Sequence, residues 1–179
     1  MSRILIADAG PLFSLAAGNL LGLLTHFRLG LTDVVREESV DRGLLPDASL
    51  EAQRLLAFYN AHAADIETFA TQVGITVRAK RLADPLYQMP RHVGELSIQS
   101  LLIDLQLQGS SEPPVVVFED AWFMRNASAL AKPCVLLSTQ ALLNYAESKG
   151  WIASAELARQ AIAQARPLAY PASITIGPA

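Results

Sequence analysis

The sequence predicts an α/β protein with a three-layer α/β/α fold around a central, mostly parallel sheet. Short apolar runs alternate with longer segments of helical periodicity, which is the pattern of strand–helix–strand units with right-handed crossovers. Two of the runs, within 3–8 and 115–120, are apolar up to the acid at which they end. Runs of this kind indicate strands that are buried on both faces, and such strands belong to parallel sheets.

Length and composition indicate one globular domain. The chain has 179 residues, of which 51% are hydrophobic and 17% are charged, so it can bury a substantial core. Its longest apolar stretch, 11–24, is too short to span a bilayer, and the N-terminus lacks the pattern of a secretory signal. We therefore expect a cytoplasmic protein without a membrane span. The net charge of −3 argues against an electrostatic clamp for nucleic acid.

The first half of the chain is predicted to contain two strand–helix units and then a long helix. Pro11 suits the first turn of the helix after the first strand, and Asp33 is a candidate N-cap for the helix after the second. Apolar side chains at three- and four-residue spacings predict one long helix that ends at Gly74. The predicted elements are strands at 3–8, 29–32 and 75–77 and helices at 12–24, 34–40 and 49–73.

The second half is predicted to continue the alternation. An apolar stripe indicates a helix after Gly94, and Ser138 and Thr139 are candidate N-caps for a later helix. The predicted elements are helices at 94–108, 122–130, 140–149 and 153–165 and strands at 115–120 and 135–137. We assign residues 1–152 to one α/β domain, and residues 153–179 to a C-terminal helix and loose tail of the same structural unit.

Acidic residues follow the two buried strands, and this arrangement predicts a metal site. Asp8 ends the first strand, and either Glu119 or Asp120 ends the later one. Ligands of open α/β sheets sit beyond the carboxyl ends of the strands. Carboxylates that meet there repel one another unless a cation is present, and carboxylate oxygens suit Mg²⁺ or Mn²⁺.

Five segments resemble, in order, the motifs of the PIN-domain family, in the branch that carries a Gly-Glu pair. They are the strand that ends at Asp8, the segment Thr32–Glu38, the pair Gly94-Glu95, the run Phe118–Asp120, and a closing strand and helix that end at Ile152. The similarity covers about residues 3–152. It implies a metal-dependent endoribonuclease, often the toxin of a toxin–antitoxin pair.

The resemblance also implies a set of site residues. Asp8 would be the principal metal ligand, and Glu95 the third acid. The second acid would be Glu38, with Glu37 as its competitor, and the fourth would be Asp120, with Glu119 as its competitor. The implied cofactor is Mg²⁺ or Mn²⁺, the substrate is RNA, and an antitoxin protein and a second copy of the chain are candidate partners.

Two other functions stay open at this point. A catalytically inactive PIN-like module that binds protein or RNA is favoured by the acidic net charge and by His92, which stands where this branch often carries an aspartate. A phosphatase or nucleotide-binding protein is disfavoured because the chain has no glycine-rich phosphate loop. The basic segment 78–81 is either an RNA contact or an ordinary charged surface.

Overall fold

The computed structural model describes residues 3–109, 112–131 and 133–167. Within these residues a five-stranded sheet has the strand order β3-β2-β1-β4-β5, and every neighbouring pair is parallel. Helices cover both faces of the sheet, so the predicted three-layer α/β/α class is confirmed. The strands are β1 (Ile4–Ala7), β2 (Arg28–Thr32), β3 (Ile66–Phe69), β4 (Val115–Phe118) and β5 (Val135–Ser138).

The α-helices of the described residues follow the strands and form the outer layers. They are α1 (Ala9–Ala17), α2 (Asp33–Ser39), α3 (Leu50–Ala61), α4 (Gln72–Ala83), α5 (Val93–Leu107), α6 (Ala121–Arg125), α7 (Thr139–Ser148) and α8 (Ala155–Ala165). Helix α1 packs against α3 and α8, whereas α5 packs against α2 and α4. Short 3₁₀ turns span Leu21–His26, Asp41–Leu44 and Ala127–Ala129.

The two apolar runs form the centre of the sheet. Ile6 of β1 and both Val116 and Val117 of β4 are 0% exposed, as expected for strands that are covered on both faces. The backbone N–H of Asp8 donates to the carbonyl of Val117 at 3.0 Å, so the parallel pairing of β1 and β4 continues to the point where both strands end. The residues that follow β1 and β4 therefore meet at one edge.

The direction in which the sheet grows reverses between β1 and β4. From β1 the chain proceeds to β2 and β3 on one side, and it then crosses back to β4 and β5 on the other side. Because crossovers between parallel strands are right-handed, such a reversal places successive helices on opposite faces and opens a crevice at the carboxyl ends. Ligands of open α/β sheets bind at this kind of switch point.

The predicted helix over 49–73 is confirmed only in its first half, and the predicted strand over 75–77 is wrong. Helix α3 ends at Ala61, Ile66–Phe69 forms the edge strand β3, and the residues predicted as a strand lie inside α4. The three-residue spacing of Ile66 and Phe69 imitates a helix, and only pairing with β2 makes this segment a strand. Gly74 lies in the first turn of α4, where a side chain would collide with the carboxylate of Asp33.

Helix caps agree with the sequence in one place and differ in another. Ser138 caps α7 as predicted, because its Oγ accepts from the N–H of Ala141 at 3.1 Å. Thr32, not Asp33, caps α2, since Thr32 Oγ1 accepts from the N–H of Val35 at 3.1 Å. The Asp33 carboxylate instead accepts from the Thr71 hydroxyl at 2.8 Å, which joins α2 to the loop before α4.

Helix α8 packs against α1 and α7, at the C-terminal end of the described chain. The loose tail predicted after it lies, from residue 168 onward, outside the described residues. The predicted helix over 12–24 is interrupted, because α1 ends at Ala17 and a 3₁₀ turn follows. Among the described helices, none is both long and apolar enough to cross a bilayer.

Candidate metal centre

Four predicted acids come from four different elements at the carboxyl edge of the sheet. Asp8 directly follows β1, and Asp120 is the second residue after β4. Glu38 lies in the last turn of α2, and Glu95 lies in the first turn of α5. We call Asp8, Glu38, Glu95 and Asp120 the acid cluster. Because β1 and β4 are neighbours at the switch point, the cluster occupies the place where the topology predicts a ligand.

The start of α5 brings the acid cluster together. A Cβ atom on Gly94 would lie 2.7 Å from Oε2 of Glu38 and 3.7 Å from Oδ1 of Asp8, so both carboxyl groups face this point of the helix. Glu95 is the next residue, and one of its carboxyl oxygens lies within 4.8 Å of one from Asp120. A side chain at position 94 would displace the end of the Glu38 side chain from this point.

Burial and the charges of neighbouring acids oppose the ionisation of Asp8 and Glu38. Asp8 is only 7% exposed. Its burial, together with the nearby charges of Glu95, Glu38 and Asp120, raises its pKa to about 8. Burial and the charge of Glu95 also raise the pKa of Glu38. A cation would reverse both effects, because it neutralises the charge that the neighbouring carboxylates repel.

Hydrogen bonds around the acid cluster hold its supporting elements in place. Thr32 and Ser97 are buried, and their hydroxyl oxygens are 2.6 Å apart. The Ser97 hydroxyl also donates to the carbonyl of Gly94 at 2.6 Å, so the start of α2 is tied to the start of α5. Asp120 Oδ1 accepts from the N–H of Trp122 at 2.7 Å, which caps α6 and orients this carboxylate.

The acids beside Glu38 and Asp120 in the sequence have other partners. Glu37 pairs with Arg81 at 2.9 Å and with Arg78 at 3.6 Å. Glu119 accepts from the Thr139 hydroxyl at 2.8 Å and has an Arg166 nitrogen at 3.8 Å. Of the two alternatives left open in each pair, the structure therefore places Glu38 and Asp120, and not Glu37 or Glu119, in the acid cluster.

The basic segment of the sequence lies on α4 and is engaged in ion pairs. Arg78 contacts the Asp33 carboxylate at 2.8 Å, in addition to its contact with Glu37. The hydrogen bond with Asp33 raises the pKa of Arg78, and this effect outweighs the opposing effect of burial. The Arg81 guanidinium also lies 3.0 Å from the sulfur of Met89. These contacts agree with the ordinary charged surface that the sequence left open for this segment.

One residue of the centre was not predicted as part of the site. His92 occupies the N-cap position of α5 in a left-handed conformation, with φ of 62°. Its Nδ1 lies 3.0 Å from Oε1 of Glu95, and a ring nitrogen of His92 lies within 4.8 Å of an oxygen of Asp120. The sequence held a weak signal for this contact, because residues three apart at a helix start lie close together.

The donor atoms of the centre suit a divalent cation. The acid cluster offers carboxylate oxygens, which are the ligands that Mg²⁺ and Mn²⁺ prefer. Among the described residues, ion pairs within 4.0 Å link Arg side chains to Glu37 and Glu119, but link no Arg or Lys to the acid cluster. Arg42 and Arg81 lower the pKa of Glu38 from beyond ion-pair distance, and a bound cation would compensate the cluster directly.

No family model, no curated protein and no solved structure matches this chain.

Proposed function

We propose that this protein is a metal-dependent endoribonuclease that hydrolyses RNA phosphodiesters at the acid cluster. The observation that carries the proposal is the convergence of four carboxyl groups, one from each of four elements, at the switch point of the sheet. Burial of Asp8, together with the nearby charges of the other three acids, disfavours its ionised form and raises its pKa to about 8. Groups whose pKa values are perturbed in this way are concentrated at functional sites.

The residues have distinct roles in this proposal. Asp8, the most buried of the acids and the one that feels the other three charges, would be the central metal ligand. Glu38 and Glu95 would complete the ligand set from the α2 and α5 side, and Asp120 from the β4 side. When bound, Mg²⁺ or Mn²⁺ would lower the pKa of a water molecule and stabilise the leaving oxygen of the phosphodiester.

The resemblance to PIN domains supports RNA as the substrate in this proposal. It also supports a toxin–antitoxin role, in which a protein antitoxin holds the enzyme inactive, and a homodimer as an assembly. The cation would also reduce the repulsion between the carboxylates of the acid cluster and the phosphates of the substrate. This matters because the protein has a net charge of −3.

The proposal is tested by incubating the purified protein with a mixed RNA pool in Mn²⁺, in Mg²⁺ or in EDTA. We expect cleavage with a divalent cation and none in EDTA. We expect Asp8→Asn to abolish cleavage, because it removes the central charged ligand. Asp47→Asn is the matched control. It makes the same substitution at an exposed loop residue outside the acid cluster.

The opposite result is equally informative. If wild-type protein and Asp8→Asn are equally inert, and calorimetry detects no binding of Mn²⁺ or Mg²⁺ to the wild type, the nuclease proposal fails. The inactive module that binds protein or RNA then becomes the leading hypothesis.

A further inference from the structure

His92 adds a nitrogen donor to a centre that otherwise offers oxygen. A ring nitrogen of His92 and carboxyl oxygens of Glu95 and Asp120 all lie within 4.8 Å of one another. The other two histidines of the chain have different surroundings. His26 stacks on Trp151 with ring centroids 3.9 Å apart, and His62 lies beside Phe58 with centroids 4.7 Å apart.

The spacing between His92 and Glu95 suits two ligands of one ion. Two donor atoms that are each about 2.1 Å from an octahedral ion, in adjacent positions, lie about 3 Å apart. His92 Nδ1 and Glu95 Oε1 are 3.0 Å apart. The same distance suits a hydrogen bond, so the contact also fits a role in which His92 only orients Glu95.

A nitrogen ligand changes which cation a carboxylate site prefers. Mg²⁺ is a hard cation that takes oxygen ligands, whereas imidazole suits first-row transition ions. We infer that His92 is a ligand of the metal centre and makes it select Mn²⁺ over Mg²⁺. This inference rests on the proposed function, because it assigns the identity of the ion at the same site.

The key variant is His92→Asn. Asparagine tolerates the left-handed conformation of this position better than most residues do. Its amide can still donate a hydrogen bond to Glu95, but it lacks the imidazole nitrogen. The variant therefore keeps the positioning role and removes the nitrogen ligand, because an amide can offer a cation only its oxygen. His62→Asn is the matched control, because His62 is a half-buried helix-end residue outside the centre.

Two measurements on the full-length protein test the inference. Titration calorimetry with Mn²⁺ and with Mg²⁺ gives the affinity ratio of the two ions. Pulsed electron spin resonance of bound Mn²⁺ detects a nitrogen nucleus that is bonded directly to the ion. We expect the wild type and His62→Asn to prefer Mn²⁺ by about tenfold or more and to show the nitrogen signal.

In His92→Asn we expect the nitrogen signal to vanish and the affinity for Mn²⁺ to fall by about tenfold, while the affinity for Mg²⁺ changes by less than about threefold. If the wild type binds Mn²⁺ without a nitrogen signal, or if His92→Asn keeps the full preference for Mn²⁺, the inference is overturned and the metal centre stands. If the wild type binds neither ion, the inference and the proposed function fail together.

Discussion

Glu37 and Glu38 are neighbours on α2, and Glu119 and Asp120 are neighbours after β4, yet the two members of each pair lie in different surroundings. Glu37 contacts two arginines, and Glu119 is held by the Thr139 hydroxyl near Arg166. Glu38 and Asp120 instead face other carboxyl groups. Residues of the same chemical type, one position apart, thus fall into two groups: acids with an arginine within 4.0 Å, which we call compensated, and acids without one, which we call uncompensated.

This difference in surroundings indicates which acids support the fold and which belong to the proposed site. An arginine beside a carboxylate offsets part of the cost of burying its charge, as it does for Glu119, although burial still raises the pKa of that residue. A carboxyl group that is buried among other acids destabilises the fold unless something outside the chain neutralises it. The uncompensated acids are therefore the ones on which the proposed metal site rests.

The adjacent acids of α2 offer the sharpest test of this comparison. Glu38→Gln removes one proposed ligand and should lower the rate of RNA cleavage by about a hundredfold or more, because even indirect supports of a metal ligand are worth about 10- to 100-fold. Glu37→Gln changes only ion pairs at the surface and should stay within about threefold. Equal losses in the two variants would contradict the division into two groups.

Substitution of Arg166 tests the compensated group, because Arg166 is the cation beside Glu119. Its guanidinium donates to the carbonyl of Gly10 at 3.1 Å and to the Ser14 hydroxyl at 2.6 Å, besides facing Glu119. Arg166→Ala leaves the buried Glu119 without its cation, and we expect a loss of about 2 kcal/mol in the free energy of unfolding measured in urea.

The control for Arg166→Ala is Arg28→Ala, which breaks an exposed ion pair with Glu67 and should cost less than about 0.5 kcal/mol. Gly10 lies in the first turn of α1, and Glu119 directly follows β4. By contacting both residues, Arg166 also supports the backbone beside Asp8 and Asp120. A stability of Arg166→Ala that equals the wild type would show that Glu119 is compensated by its hydroxyl partners alone.

The pH dependence of stability gives a third test. The pKa of Asp8 is 3.8 in the reference state and about 8 in the fold. Between these values unfolding releases a proton, so its contribution to stability is complete at low pH and is lost as the pH rises through about 8. The slope contributed by Asp8 is at most about 1.4 kcal/mol per pH unit.

Thermal unfolding of the metal-free protein between about pH 5 and about pH 8 measures this effect. We expect the midpoint to fall as the pH rises, and to fall less in Asp8→Asn. Added Mn²⁺ should raise the midpoint more at the higher pH, because protons compete with the cation for Asp8. A wild-type midpoint with the same pH dependence as Asp8→Asn would contradict the raised pKa.

Local patterns in the sequence were sufficient for the centre of the fold. The apolar runs predict β1 and β4, and the topology of a parallel sheet then places the acids that follow these strands at one edge. The helix start at Gly94 and the N-cap at Ser138 also follow from local signals. These predictions succeed because periodicity and capping depend on residues that are close in the sequence.

The tertiary structure decided what depends on distant partners. The segment Ile66–Phe69 is a strand because β2 pairs with it, although its spacing imitates a helix. Successive residues on a helix point about 100° apart, so the packing of α2 against α5 determines that Glu38, and not Glu37, faces Asp8. His92 joins the centre for the same reason, because Glu95 and Asp120 reach it from two different elements. The sequence by itself thus determined which edge of the sheet carries the acids, and packing between elements determined which side chains meet there.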